Sequence, residues 1–129
     1  MYLIDSSVWI ALFLDDDSQH AKAVDVLRDI GEATIKIPYG VILETTTTLS
    51  RKQSKEQADK FVEYIRSNSQ IEITPPFVSE DLSIFLAESD RLSFVDALLK
   101  GASLRDGLTL ISFDKQLLNS LKRAGGSPV

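Results

Sequence analysis

MYLIDSSVWIALFL, residues 1–14, divides at a single acid. Before it, Tyr2-Leu3-Ile4 is an apolar run too short for a helix and suited to a buried strand. After it, Ser6-Ser7 leads into a second apolar segment, Val8 to Leu14, so the order is strand, turn, helix. Asp5 therefore stands where the strand ends. In open parallel α/β sheets, ligands gather outside the carboxyl ends of the strands, and an acid there is placed for chemistry. Asp5 also has a purely structural use, as the cap of the helix that follows it.

The pattern of strand followed by helix recurs outward from this segment. Ser18 to Ile30 reads as an amphipathic helix with Val24, Leu27 and Ile30 on one side, stopped by Gly31. Thr34 to Ile37 alternates as a strand, and Pro38 opens a helix from Tyr39 to Arg51 that carries Val41, Ile42, Leu43 and Leu49. Its run Thr45 to Thr48 has poor helix propensity, so packing must hold it. A helix starting at Ser54 buries Ala58, Phe61, Val62 and Ile65 and ends at Asn68-Ser69. Gln70 to Thr74 is a third strand, stopped by Pro75-Pro76. Leu82, Phe85 and Leu86 mark a helix over Ser79 to Ser89, and Ser93 opens another with Val95, Leu98, Leu99 and Ala102 inward. Arg105-Asp106-Gly107 is a turn, Leu108 to Ile111 an apolar strand, and Asp114 begins a last helix containing Leu117, Leu118 and Leu121. The tail, Gly125 to Val129, is expected to fray or to supply one edge pairing. Strands alternating with helices imply βαβ units and a parallel sheet. The expected fold is a small three-layer α/β/α sandwich, one domain over residues 1–129.

Composition narrows the chemistry. The chain has no cysteine and one histidine, His20, which excludes disulfides, thiol nucleophiles and paired-histidine mechanisms. His20 precedes a helix without a nucleophile-elbow context and is expected to be an exposed surface residue. No apolar run approaches the roughly 20 residues of a membrane span. The N-terminus lacks the basic flank and cleavage site of a signal peptide, so a cytoplasmic protein is expected. Any catalysis must use carboxylates, hydroxyls, amines or a bound metal.

Most acids lie in polar surroundings and read as solvated, Glu88 and Asp90 among them. Four are embedded beside apolar sequence. Asp5 and Asp114 each end a strand, Glu44 sits in VILETT, and Asp96 sits in LSFVDALL, one turn into its helix. Each has an ordinary use: Asp114 as a helix cap, Glu44 facing water, Ser93 to Asp96 as a capping box. Taken together they point elsewhere. Clustered carboxylates repel one another, and a hard cation such as Mg²⁺ or Mn²⁺ offsets that cost. Such an ion lowers the pKa of a water it holds, and that water can attack phosphorus in line. Ser6 and Ser112 flank the two strand-end acids and can hydrogen-bond a carboxylate, a water or a phosphate.

The ordered set Asp5-Ser6-Ser7, Glu44-Thr45, Ser93-Phe94-Val95-Asp96 and Ser112-Phe113-Asp114 resembles the PIN-domain family, in particular the small VapC-type toxins of toxin–antitoxin pairs. The resemblance covers essentially the whole chain. It implies a Mg²⁺- or Mn²⁺-dependent endoribonuclease with Asp5, Glu44, Asp96 and Asp114 as an acidic quartet, supported by Ser6 and Ser112. Some members carry a further acid after the fourth, where this chain has Lys115-Gln116, so a second metal ion is left open. The resemblance also implies a homodimer and a small antitoxin partner that brings a basic side chain near the acids. Trp9 and Phe13 are candidates for that contact, or plain core.

The formal charge of −5 is unusual for a protein that binds RNA. Setting the four site acids aside takes it from −5 to −1, and Arg51, Lys52, Lys55, Lys115, Lys122 and Arg123 are then candidates to reach RNA phosphates. The absence of a strong basic stripe points to selective cutting of a structured RNA, such as a transfer RNA. Three other readings compete, of which a receiver-type signalling domain lacks its adjacent acids after the first strand. A dehalogenase-type phosphatase needs a second acid two residues after the first, and Ser7 occupies that place. A catalytically weak PIN-like binding module would not need all four acids.

Overall fold

The computed structural model describes residues 1–128 and contains four strands and seven helices. They are β1 (Tyr2–Ile4), α1 (Ser6–Phe13), α2 (His20–Ile30), β2 (Ile35–Pro38), α3 (Tyr39–Lys52) and α4 (Lys55–Ser67). The chain continues through β3 (Ile71–Thr74), α5 (Val78–Ala87), α6 (Phe94–Asp106), β4 (Thr109–Ile111) and α7 (Lys115–Arg123). The expected elements are all present, with ends displaced by a residue or two. Pro38 closes β2 and stands in the capping position of α3 instead of inside its first turn.

The sheet is wholly parallel with strand order β3-β2-β1-β4. From β1 the chain steps to β2 and then β3 in one direction, and from β3 it returns past both to β4. Right-handed crossovers therefore put α1 to α4 on one face and α5 and α6 on the other. The packing agrees: α1 contacts α2 and α3, α3 contacts α4, and α6 contacts α5 and α7. Because β1 leads toward β2 while β4 lies on its other side, the strand order reverses between β1 and β4. That reversal opens a crevice at their carboxyl ends. The tail adds a parallel bridge from Pro128 to Leu110 at the outer edge of β4, one of the two expected outcomes; Val129 lies outside the described residues.

Strands covered on both faces read as continuous apolar runs. Leu3, Ile4, Ile35, Ile37, Leu110 and Ile111 are buried accordingly. Trp9 belongs to the same core, edge-on to Phe61 and Tyr64, and Phe13 packs against the same two rings. Trp9 is thus core, and Phe13 is half-buried against it. Thr45 is fully buried, which explains why α3 tolerates its threonine run: tertiary packing outweighs propensity.

Three expectations need correction. His20 is half-buried, with Nδ1 2.8 Å from the Ala11 carbonyl oxygen, because it is needed where α1 meets α2. Glu88 and Asp90 are not simply solvated. Lys100 and Glu88 keep only 11% and 10% of their side chains exposed and meet at 2.8 Å, while Asp90 accepts from Ser120 and Arg123. The Val95, Leu98 and Ala102 positions of α6 are only partly buried, since the helix that should cover them, α5, buries no residue of its own.

Candidate active site

The crevice between β1 and β4 is lined by Asp5, Ser6, Ser7 and Ile10, by Glu44, Thr48 and Lys52, and by Ser93, Asp96 and Asp114. Its volume is about 430 Å³. All four acids singled out in the sequence line it, and each comes from a different element. Asp5 follows β1, Glu44 lies in α3, Asp96 in the first turn of α6, and Asp114 follows β4.

The two strand-end acids are placed by the sheet. In the register of β1 and β4, Ile4 faces Ile111, and the Asp5 amide donates to the Ile111 carbonyl at 2.9 Å. Asp5 is buried and its carboxylate is fully engaged. One oxygen accepts the Ser6 amide at 2.7 Å; the other accepts the hydroxyls of Ser7 at 2.9 Å and Ser112 at 2.7 Å. Asp114 caps α7 through one oxygen, which accepts the Gln116 and Leu117 amides. Its other oxygen makes no hydrogen bond among the described residues. Capping and facing the cleft are therefore compatible, because each use takes one oxygen.

Helix geometry places the other pair. Ser93 caps α6 by accepting the Asp96 amide at 3.1 Å, which fixes the turn that points Asp96 at the crevice. Glu44 accepts the Ser6 hydroxyl, which ties α3 to the start of α1. Desolvation pushes the Asp96 carboxyl up to about 7, with further contributions from the charges of Asp5, Asp114 and Glu44. The three neighbouring carboxylates thus add to the cost of charging Asp96.

Ser6 and Ser112 stand where the sequence puts them, beside the strand-end acids. Ser7 is the supporting residue missed in the sequence. Its hydroxyl donates to Asp5 and accepts the Phe113 amide at 3.0 Å, so it pins the loop carrying Asp114 to the loop carrying Asp5. The only sequence signal for it is the second hydroxyl of Asp5-Ser6-Ser7.

The donor set fits a hard divalent cation: carboxylate and hydroxyl oxygens, with no imidazole or thiolate lining the crevice. Among the described residues, no three of the acids close into a tight ligand cage. An open set of this kind suits an ion that keeps several of its waters.

The fold and crevice define a class, the small parallel α/β domains whose acids gather at the switch point of the sheet. A PIN domain model matches residues 2–123, and the chain belongs to that family. Three solved structures are similar over nearly the whole chain. The VapC20 toxin of Mycobacterium tuberculosis, described as cleaving the sarcin-ricin loop, superposes with a TM-score of 0.83 at 19% identity, over 100% of this chain and 98% of that one. PAE2754 from Pyrobaculum aerophilum gives 0.63 at 22% identity, over 99% and 83%. A domain of a functionally unknown Methanocaldococcus jannaschii protein gives 0.60 at 18% identity, over 99% and 88%. These likenesses establish a shared fold. No curated protein sequence matches the chain significantly.

Proposed function

We propose that this PIN domain is a Mg²⁺- or Mn²⁺-dependent endoribonuclease of the toxin type, held in check by a cognate antitoxin. One observation carries the reading: four carboxylates from four separate elements line one crevice at the switch point of the sheet. Asp5, Glu44, Asp96 and Asp114 would hold the cation. When bound, it supplies Lewis acidity, activating a water and offsetting charge on the leaving oxygen. The chain's own part is positional. Ser6, Ser7 and Ser112 orient the carboxylates of Asp5 and Glu44, and the caps at Ser93 and Asp114 set the helices that flank the strand end. Asp96, whose carboxyl is pushed up to about 7, would be held in its charged form by a bound cation.

The substrate proposed is a structured RNA, a transfer RNA or a ribosomal stem–loop of the kind named for VapC20. Among the described residues no helix is long and apolar enough to cross a membrane, and the cytoplasm, where such RNAs lie, is the proposed location. A groove of about 550 Å³ adjoins the crevice and shares Glu44 and Thr48 with it. Tyr39, Leu43, Val78, Leu82 and Phe94 line it, each 39–66% exposed, and Leu86, one turn beyond Leu82, is 84% exposed. Together with the exposed Phe77 and Phe85, this is more apolar surface than scattered single residues present, and the occupant proposed is a second copy of the chain.

The test is a cleavage assay on transfer RNAs and ribosomal stem–loops with Mg²⁺, Mn²⁺ or EDTA, comparing wild type with Asp5→Asn and Asp96→Asn. Cutting at discrete sites that needs the metal and disappears in both folded variants supports the reading. Cutting that survives EDTA or both substitutions overturns it.

A further inference from the structure

The geometry points to Lys52 as the side chain that grips the RNA strand beside the cut, by pairing with a phosphate next to the scissile one. The inference rests on the nuclease reading and adds a substrate contact to it. Glu44, Thr48 and Lys52 lie at i, i+4 and i+8 of α3, and all three line the crevice. Along this one face the chemistry changes over about 12 Å of helix rise. It begins with a carboxylate suited to a cation, passes through a neutral hydroxyl, and ends with an ammonium suited to an anion.

The other cations do not fill that role. The chain has fourteen lysines and arginines. Among the described residues eight are paired with carboxylates: Arg28, Lys36, Lys55, Lys60, Arg66, Lys100, Arg105 and Arg123. Lys22 lies over the Phe113 ring. Of the remaining five, Arg51, Lys52, Arg91, Lys115 and Lys122, Lys52 alone lines the crevice among the described residues. A basic residue in the last turn complements the helix dipole. That explains a cation at the end of α3, and Arg51 serves it equally well; it does not explain a cation on the lining of an acidic crevice. No carboxylate comes within 4 Å of Lys52 among the described residues, so its charge is left for an outside anion.

A polyanion entering a crevice lined by four acids meets repulsion wherever the metal does not reach. An ammonium on a flexible stem at the rim offsets that repulsion one phosphate away from the reacting centre. Phosphate contacts of this type are independent of base sequence. Any RNA with a single-stranded stretch can therefore report on them.

The test is fluorescence anisotropy of a labelled stem–loop RNA in Ca²⁺, so that binding is read without cutting, over a series of salt concentrations. Wild type is compared with Lys52→Met, Lys52→Arg and a charge control, Lys60→Ala. Lys52→Met should bind five- to tenfold more weakly, and the slope of log affinity against log salt should fall by about 0.7. Lys52→Arg should restore most of the affinity, Lys60→Ala should stay within about twofold of wild type, and Mn²⁺ binding by Lys52→Met should be equal or tighter. Wild-type affinity and slope in Lys52→Met, an equal loss in Lys60→Ala, or no RNA binding by wild type would each overturn the assignment. The nuclease reading stands separately on Mn²⁺-dependent cutting, so either can fail without the other.

Discussion

Asp5 accepts one amide and the hydroxyls of Ser6, Ser7 and Ser112, and Ser7 is the donor that also holds the Phe113 amide in the loop of Asp114. Ser7→Ala removes its bonds to Asp5, Ser112 and Phe113 and leaves the Phe113 amide unpaired. The expected cost is about 1–2 kcal/mol in denaturant unfolding. Asp96 behaves in the opposite sense. Its carboxyl sits near 7 in the fold, against an ordinary value near 3.9 when unfolded. The unfolded chain releases this proton first as pH rises, so stability falls between about pH 4 and pH 7. Asp96→Asn lacks that penalty. In EDTA its melting temperature should exceed that of wild type by an amount that grows across this window and levels off above pH 7. Excess Mn²⁺ should reverse the order. Thermal melts at three pH values, with EDTA or Mn²⁺, check both statements. The acids themselves were legible because strand ends and helix starts are written in local sequence. Ser7's bond to Phe113 was not, because the two are 106 residues apart and only the β1–β4 pairing joins them.

The segment from α5 to α6 shows what local sequence leaves out. Glu88, Asp90 and Lys100 look like ordinary surface charges, yet they clamp this connection, and Gln116 at the start of α7 holds the Arg91 carbonyl at 2.8 Å. The clamp sets where Ser93 begins α6, and so where Asp96 points. Burial alone would raise the Glu88 carboxyl; the hydrogen bond and charge of Lys100 hold it below the usual carboxylate range. Its stabilising share is therefore present above the unfolded value and is lost as pH falls through the folded one. Lys100→Met should cost about 2 kcal/mol at pH 7, or roughly 8 °C in melting temperature, and less below pH 4. Urea unfolding at both pH values measures it. The strands and helices were readable from apolar period and from Pro and Gly stops. What periodicity cannot tell is whether an apolar stripe meets the chain's own core or another molecule. Leu82, Phe85 and Leu86 mark a real helix whose stripe stays in solvent.

For the molecule as a whole, that exposed stripe and the acidic crevice lie side by side, joined by α3. A dimer closed across α3 and α5 would cover the apolar face and set two crevices in one assembly. Leu82→Glu with Leu86→Glu should give monomers in sedimentation analysis where wild type gives dimers, with the circular dichroism spectrum unchanged. Monomeric wild type at micromolar concentration would exclude this interface. The same three layers support many chemistries, so the proposed metal belongs to the crevice and its side chains and not to the fold. Calorimetric titration of Mn²⁺ into wild type and into Asp5→Asn, Glu44→Gln, Asp96→Asn and Asp114→Asn addresses that point without reference to any RNA. Saturable binding by wild type, weakened at least tenfold in each folded variant, is the expected result. No binding by wild type, or equal binding by all four variants, would contradict a cation held by these carboxylates.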